Sequence, residues 1–184
     1  MEFQRTLRQV GWTIAFIVVG CSGGDRDSTT AVAVAALPVA PDFEVITYQG
    51  GKIQDGDRVL FSEVLEQGKP VILNFWAGAC PPCRIEMPEL QAVAVERADD
   101  VTILGIDIGP FVGLGTRQQG QALLENVNVT YLAGSTEDAT VVTNYQILGM
   151  PTTIFVTADG HMTRKWTGIL TAAKLSEFVD ELLV

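Results

Sequence analysis

Val71-Ile-Leu-Asn-Phe-Trp-Ala-Gly-Ala-Cys-Pro-Pro-Cys83 is the stretch whose reading decides the fold. Val71 to Trp76 is a short apolar run of the kind that forms a central strand buried on both faces. Beyond the cysteines, Ile85, Leu90, Val93 and Ala94 recur near helical spacing, which predicts a helix that Pro88 should kink. Cys80 therefore falls between a buried strand and the start of a helix, where the positive end of the dipole favours a thiolate. Pro82 suits the first helical turn, and the N–H of Cys83 remains to donate to the sulfur of Cys80. The expected roles follow: Cys80 is an exposed nucleophile, and Cys83 a buried thiol that resolves the mixed disulfide. A zinc half-site is the alternative, but it needs about four ligands. The chain has no second Cys-x-x-Cys and a single histidine, His161. A purely structural staple is also a poor account, because a loop this small constrains the unfolded chain little.

Outward from this motif, strand and helix signals alternate. Phe43 to Tyr48 alternates in a β-rich pattern, and Gly50-Gly51 and Asp55-Gly56 mark turns, predicting an N-terminal strand pair. Ser62 is expected to cap a helix ending near Gly68, and Val101 to Asp107 reads as a second buried strand. Gly109 to Gly115 reads as a loop, and Thr116 as the cap of a helix reaching about Asn126. Ser135 with Asp138 resembles a capping box for a helix ending near Tyr145. Thr152 to Val156 and His161 to Trp166 flank Asp159-Gly160, a hairpin signal, and Thr171 caps a closing amphipathic helix. The sum is an α/β sandwich with a mixed sheet.

At 184 residues the chain can bury one ordinary core and is short for two. Its net charge of -10 excludes an electrostatic nucleic-acid binder and opposes unaided docking on anionic lipid. Membrane attachment would then need a specific anchor. Arg5 and Arg8 precede the apolar run Val10 to Val19, with Gly20 and Cys21 after it, so residues 1–20 read as a signal peptide. The run is shorter than the roughly 20 residues a spanning helix needs. Val18-Val19-Gly20-Cys21 resembles the lipobox of bacterial lipoproteins, in which the cysteine thiol carries diacylglycerol. An ordinary signal peptide and an uncleaved anchor are the other readings. Residues 21–40, rich in Gly, Ser, Asp, Thr and then Ala and Val, are expected to be a flexible tether behind that lipidated cysteine, with the folded domain spanning 41–184.

The central stretch, followed by Glu86, Pro88, Gly149-Met-Pro-Thr-Thr-Ile-Phe-Val156 and Asp159-Gly160, resembles the thioredoxin superfamily. More narrowly it is similar to the exported TlpA/ResA-like thiol-disulfide oxidoreductases, related to AhpC/TSA proteins, some of which reduce apocytochrome c for haem attachment. The resemblance covers Pro41 to Val184. It implies a thioredoxin-like sandwich with helices on a mixed sheet and an N-terminal β-hairpin extension. It also implies no cofactor beyond the redox-active Cys80–Cys83 disulfide and no metal. The expected partners are protein thiols and disulfides and a membrane electron donor of the thiol-reductase type. The protein would be a monomer, lipid-anchored on the extracytoplasmic side of a bacterial envelope.

By the same resemblance Pro151 is a cis proline beside the cysteines, and the backbone of Met150 pairs with the substrate chain. A plain strand-start proline is the other reading of Pro151. Trp76, Pro81 and Pro82 join Met150 and Pro151 as substrate-binding candidates, although Trp76 equally suits a packed core. Glu86 matches a family glutamate near the active site and could take the proton of Cys83; otherwise it is an exposed first-turn residue complementing the dipole. Asn74 stands where thioredoxin has a buried aspartate, which makes Glu86 the better base. Ala79 replaces a customary aromatic residue and changes how substrates are gripped. The enzymatic rival is a thiol peroxidase of related fold, which would want a lone peroxidatic cysteine. The binding-module rival is a copper metallochaperone, whose two cysteines have three residues between them rather than two.

Overall fold

The computed structural model describes residues 37–50 and 56–184. The expected signal peptide, Cys21 and the tether as far as residue 36 lie outside the described residues, as do residues 51–55, which hold parts of the two expected turn signals. No helix among the described residues is long and apolar enough to cross a membrane.

The strand read from the central motif forms as β3 (Val71–Trp76), every residue of it buried. It lies inside a seven-stranded sheet and pairs in parallel with β4 (Thr102–Asp107) and antiparallel with β6 (Thr152–Val156). Beyond β4 comes β5 (Leu132–Ser135), parallel to it, then β1 (Glu44–Gln49) and β2 (Arg58–Leu60). β7 (Met162–Thr167) closes the other edge beside β6. The expected hairpin is present as β1 and β2, and it is no appendage, because β1 pairs directly with β5.

Because side chains alternate along a strand, β3 supplies two cores. Ile72 and Trp76 pack with α2 (Pro81–Glu96), α4 (Arg117–Asn126) and α6 (Ala172–Leu182) through Met87, Leu90, Leu123 and Phe178. Val71, Leu73 and Phe75 face the opposite layer, with Phe43, Phe61 of α1 (Phe61–Leu65) and Tyr145. Phe43 stacks on Phe61 with ring centres 5.5 Å apart and meets Tyr145 edge-on at 5.9 Å. Helices on both faces are what let a wholly buried strand exist in water.

Several local expectations change. Ser62 is not a cap: Leu60 holds that position, and Ser62 gives its N–H and hydroxyl to the Asp42 carboxylate at 2.9 and 2.8 Å. Gly109–Gly115 is not wholly loop, since Gly109–Val112 forms the short helix α3, with Pro110 in its first turn and Gly113 left-handed at its end. Ser135 starts no helix. It ends β5, paired with Asp107 and Ile46, and the helix that follows, α5, is only Val141–Asn144. Asp138 instead caps locally, its Oδ1 accepting the N–H of Thr140 at 2.8 Å. Helix α2 continues through Pro88 as one element. Thr116 and Thr171 cap α4 and α6 as expected, each accepting an N–H at 3.3 Å. Pairing begins earlier than Pro41: Val39 bridges His161, and the Ala40 N–H reaches the Gly160 carbonyl at 2.8 Å.

Candidate active site

Strand β3 ends at Trp76, and three small residues carry the chain to Cys80, the N-cap of α2. Cys80 and Cys83 are joined at an S–S distance of 2.06 Å, and the Cys83 N–H also donates to the Cys80 sulfur at 3.3 Å. Pro81 and Pro82 occupy the first turn, so two missing donors fall where the helix has no acceptor to offer. The motif predicts an exposed Cys80, yet in this oxidised state it is 4% exposed against 1% for Cys83. The difference that matters is direction: Cys80, and not Cys83, lines a groove at the start of α2.

Glu86 is not a surface residue. It is 1% exposed, three residues after Cys83 on the inner side of α2. Its Oε1 accepts from Asn74 Nδ2 at 2.7 Å and its Oε2 from the Leu170 N–H at 2.7 Å. Asn74 also donates to Thr153 Oγ1 at 2.9 Å, so its amide is fixed between β6 and α2. Burial pushes the Glu86 carboxyl up to about 7, against the opposing pull of the Leu170 N–H and the Asn74 amide. A carboxyl poised there can both accept and return a proton near neutrality.

The Met150–Pro151 peptide is cis, and Met150 lines the same groove as Cys80. The groove, of about 450 Å³, runs over Cys80, Pro81 and Pro82, between Val112 and Leu114 on one side and Ile147 to Met150 on the other. Among the described residues, no charged side chain lines it. Leu148 stands in it 93% exposed. The backbone amide and carbonyl of Met150 make no hydrogen bond among the described residues, whereas the Pro151 carbonyl accepts from Gly168 at 2.9 Å. A larger cleft of about 840 Å³ lies at the far end of β4, by Val101 to Ile103, and holds neither cysteine.

Trp76 is not a substrate-binding residue: it is fully buried in the core shared with Met87 and Leu123, and so presents no surface to a substrate. Its Nε1 has no hydrogen-bond partner among the described residues. His161 lies in the β6–β7 turn, its Nδ1 3.2 Å from Asp159. Among the described residues, no group of three or more His, Cys, Asp or Glu is placed to hold a metal ion.

Sequence reading missed the groove wall at Val112 and Leu114 and a second buried carboxylate, Asp107. Asp107 ends β4 at the same end of the sheet as Trp76, its register partner on β3. Its Oδ1 accepts the Gly109 N–H at 2.9 Å and its Oδ2 the Tyr48 hydroxyl at 3.2 Å. The signal available was weak: an aspartate closing an apolar strand is ordinarily read as its solvated end.

The AhpC/TSA family model matches residues 38–165. The thiol-disulfide oxidoreductase ResA of Oceanobacillus iheyensis is 29% identical over 144 residues, 78% of this chain and 70% of that one. Among solved structures, the thioredoxin domain of a thiol-disulfide oxidoreductase from Bacteroides vulgatus superposes with a TM-score of 0.65 at 22% identity, covering 83% of this chain and 100% of that one. The exposed lipoprotein thioredoxin of Streptococcus pneumoniae superposes with a TM-score of 0.64 at 21% identity, covering 77% and 100%.

Proposed function

The chain belongs to the AhpC/TSA family, and from that premise we propose that it is an exported, membrane-tethered reductant of disulfides in other exported proteins, apocytochrome c first among them. It is a thiol-disulfide oxidoreductase of the TlpA/ResA-like thioredoxin kind. The observation that carries the reading is the placement of Cys80 at a helix N-cap, opening on an uncharged groove, with the buried carboxyl of Glu86 one turn behind Cys83.

In the reduced enzyme the Cys80 thiolate attacks a substrate disulfide, forming one S–S bond and expelling one substrate thiolate, which takes up a proton. Cys83 gives its proton to Glu86 and attacks the Cys80 sulfur, forming the enzyme disulfide as the Cys80–substrate bond breaks and the second substrate sulfur leaves as a thiolate, to which Glu86 returns the proton. Two electrons have then moved from enzyme to substrate. A membrane thiol reductase restores the dithiol by the same two exchanges in reverse. The unbonded amide and carbonyl of Met150 offer an extended substrate segment a place to pair beside Cys80.

The reduction potential of the Cys80–Cys83 couple, equilibrated against glutathione or dithiothreitol, tests the direction. We expect a value at or below about -250 mV, as for thioredoxin-like reductants; a value near about -120 mV would mark a disulfide donor and end the reductase reading.

The tether rests on Cys21, and the pneumococcal structure is that of an exposed lipoprotein. Two acyl chains on that thiol would suffice for stable anchoring, where one is marginal. A Cys21→Ser chain is accordingly expected in the soluble fraction after cell lysis. Undiminished recovery with the membranes would discard the lipid anchor.

A further inference from the structure

Among the described residues, Asp107 is the buried carboxylate that the exchange chemistry leaves unused, and its neighbours connect it to Cys80. It is 1% exposed at the end of β4, where α3 begins. Its Oδ1 holds the Gly109 N–H; the Gly109 carbonyl accepts from Leu114 at 3.0 Å; and the Leu114 carbonyl accepts from the Ala79 N–H at 2.8 Å. Ala79 is the residue before Cys80. A series of hydrogen bonds thus runs from the carboxylate, through the loop that supplies Val112 and Leu114 to the groove, to Ala79, the residue before the nucleophile.

The packing around this series leaves little slack. A Cβ at Gly120 would lie 2.1 Å from Asp107 Oδ2, one at Gly78 2.5 Å from the Gly120 nitrogen, and one at Gly115 3.0 Å from the Ala79 nitrogen. The segments meeting at the carboxylate therefore touch through backbone, and a displacement of one is transmitted to the next.

We infer that Asp107 is a positioning residue: its ionised carboxylate seats the Gly109–Leu114 segment, and with it the groove wall, for a polypeptide substrate. This rests on the oxidoreductase reading and adds to it a requirement specific to substrates that fill the groove. The titratable and charged groups facing the carboxylate are Tyr48 from β1 and Arg117 from α4; Trp76 and Ser135, its register partners on β3 and β5, carry no charge. Burial pushes the Asp107 carboxyl up to about 6, against the Gly109 N–H, the Tyr48 hydroxyl and Arg117, so the seat would weaken in mild acid.

The test compares two disulfides in the full chain: insulin, which must fill the groove, and hydroxyethyl disulfide, which need not. Asp107→Asn is expected to raise the KM for insulin about tenfold while leaving kcat for hydroxyethyl disulfide within about twofold. Tyr48→Phe removes one bond to the carboxylate and should raise the insulin KM about threefold; it decides the matter if the first variant does not fold. In the unmodified chain the ratio of insulin to hydroxyethyl disulfide turnover should fall as pH drops below about 6, since thiolate formation cancels in the ratio, and Asp107→Asn should flatten that fall. Equal losses on both substrates, an unchanged insulin KM, or a ratio without pH dependence in the unmodified chain would overturn the proposal. An unmodified chain that reduces neither disulfide would instead end the oxidoreductase reading itself.

Discussion

A Cys83→Ser chain is expected to accumulate mixed disulfides with its protein substrates, whereas Cys80→Ser should show no exchange above the uncatalysed background. The asymmetry follows from access and position. Cys80 caps α2 at the groove and receives the N–H of Cys83, so it is the sulfur a substrate can reach and the one the helix end stabilises as a thiolate. Cys83 is turned away from the groove, and its task is to break the bond that Cys80 has made. Removing it leaves attack intact and resolution impossible. Non-reducing electrophoresis of envelope proteins, with mass spectrometry of the trapped species, reads the outcome directly and names the substrates. If Cys80→Ser formed the trapped species and Cys83→Ser did not, Cys83 would be the attacking thiol and the assigned roles would be reversed.

Glu86→Gln should change the enzyme in two measurable ways. The first is kinetic. With the carboxyl up at about 7, resolution by Cys83 should accelerate as pH rises through that value. The glutamine chain should lose this limb and resolve a preformed mixed disulfide about 100-fold more slowly at neutral pH. Starting from the mixed disulfide removes the ionisation of Cys80 from the measurement. An unchanged profile would reduce Glu86 to a structural group.

The second effect is on stability. The folded carboxyl titrates at about 7 and the unfolded one near 4.5, so the native state holds its proton more tightly. The stabilisation this gives is fully present below the unfolded value and is lost as pH rises through the folded one. The amount is about 3 kcal/mol. Glutamine has no such titration, so the stability of Glu86→Gln relative to the unmodified chain should rise by about that amount between about pH 4 and about pH 8. Asp107, raised for the same reason, titrates in both chains and cancels. Glutamine must also turn its NH2 towards either the Asn74 amide or the Leu170 N–H, each of which donates to Glu86 in the unmodified chain, and this costs about 1–3 kcal/mol at every pH. Urea unfolding at the two ends of the range separates the constant cost from the slope, and parallel curves for the two chains would refute the buried titration.

The residues of the site were legible to different degrees for identifiable reasons. Cys80, Cys83 and the caps at Thr116 and Thr171 are local: their chemistry depends on neighbours within one helical turn. Strand β5 was not legible, because Leu-Ala-Gly-Ser has little intrinsic β preference. It is a strand because β4 and β1 flank it, and Gly134 is needed there since a Cβ would lie 2.4 Å from the Ile46 carbonyl. Trp76 read equally as a grip for substrate and as core, and only the helices laid over β3 settle that it is core.

The amino-acid sequence by itself determined a buried strand delivering a dithiol to a helix N-terminus, and hence thiol-disulfide chemistry. Strand periodicity, helix dipole and cap act over a few residues and leave their mark in the order of the chain. Tertiary structure alone decided that Glu86 is buried between Asn74 and Leu170, that Met150 borders Cys80, and that Asp107 is linked through Gly109 and Leu114 to Ala79, the residue before the nucleophile. Those contacts join residues distant in sequence. Their energies depend on water being excluded from both faces of the sheet, a condition met only once the layers have packed.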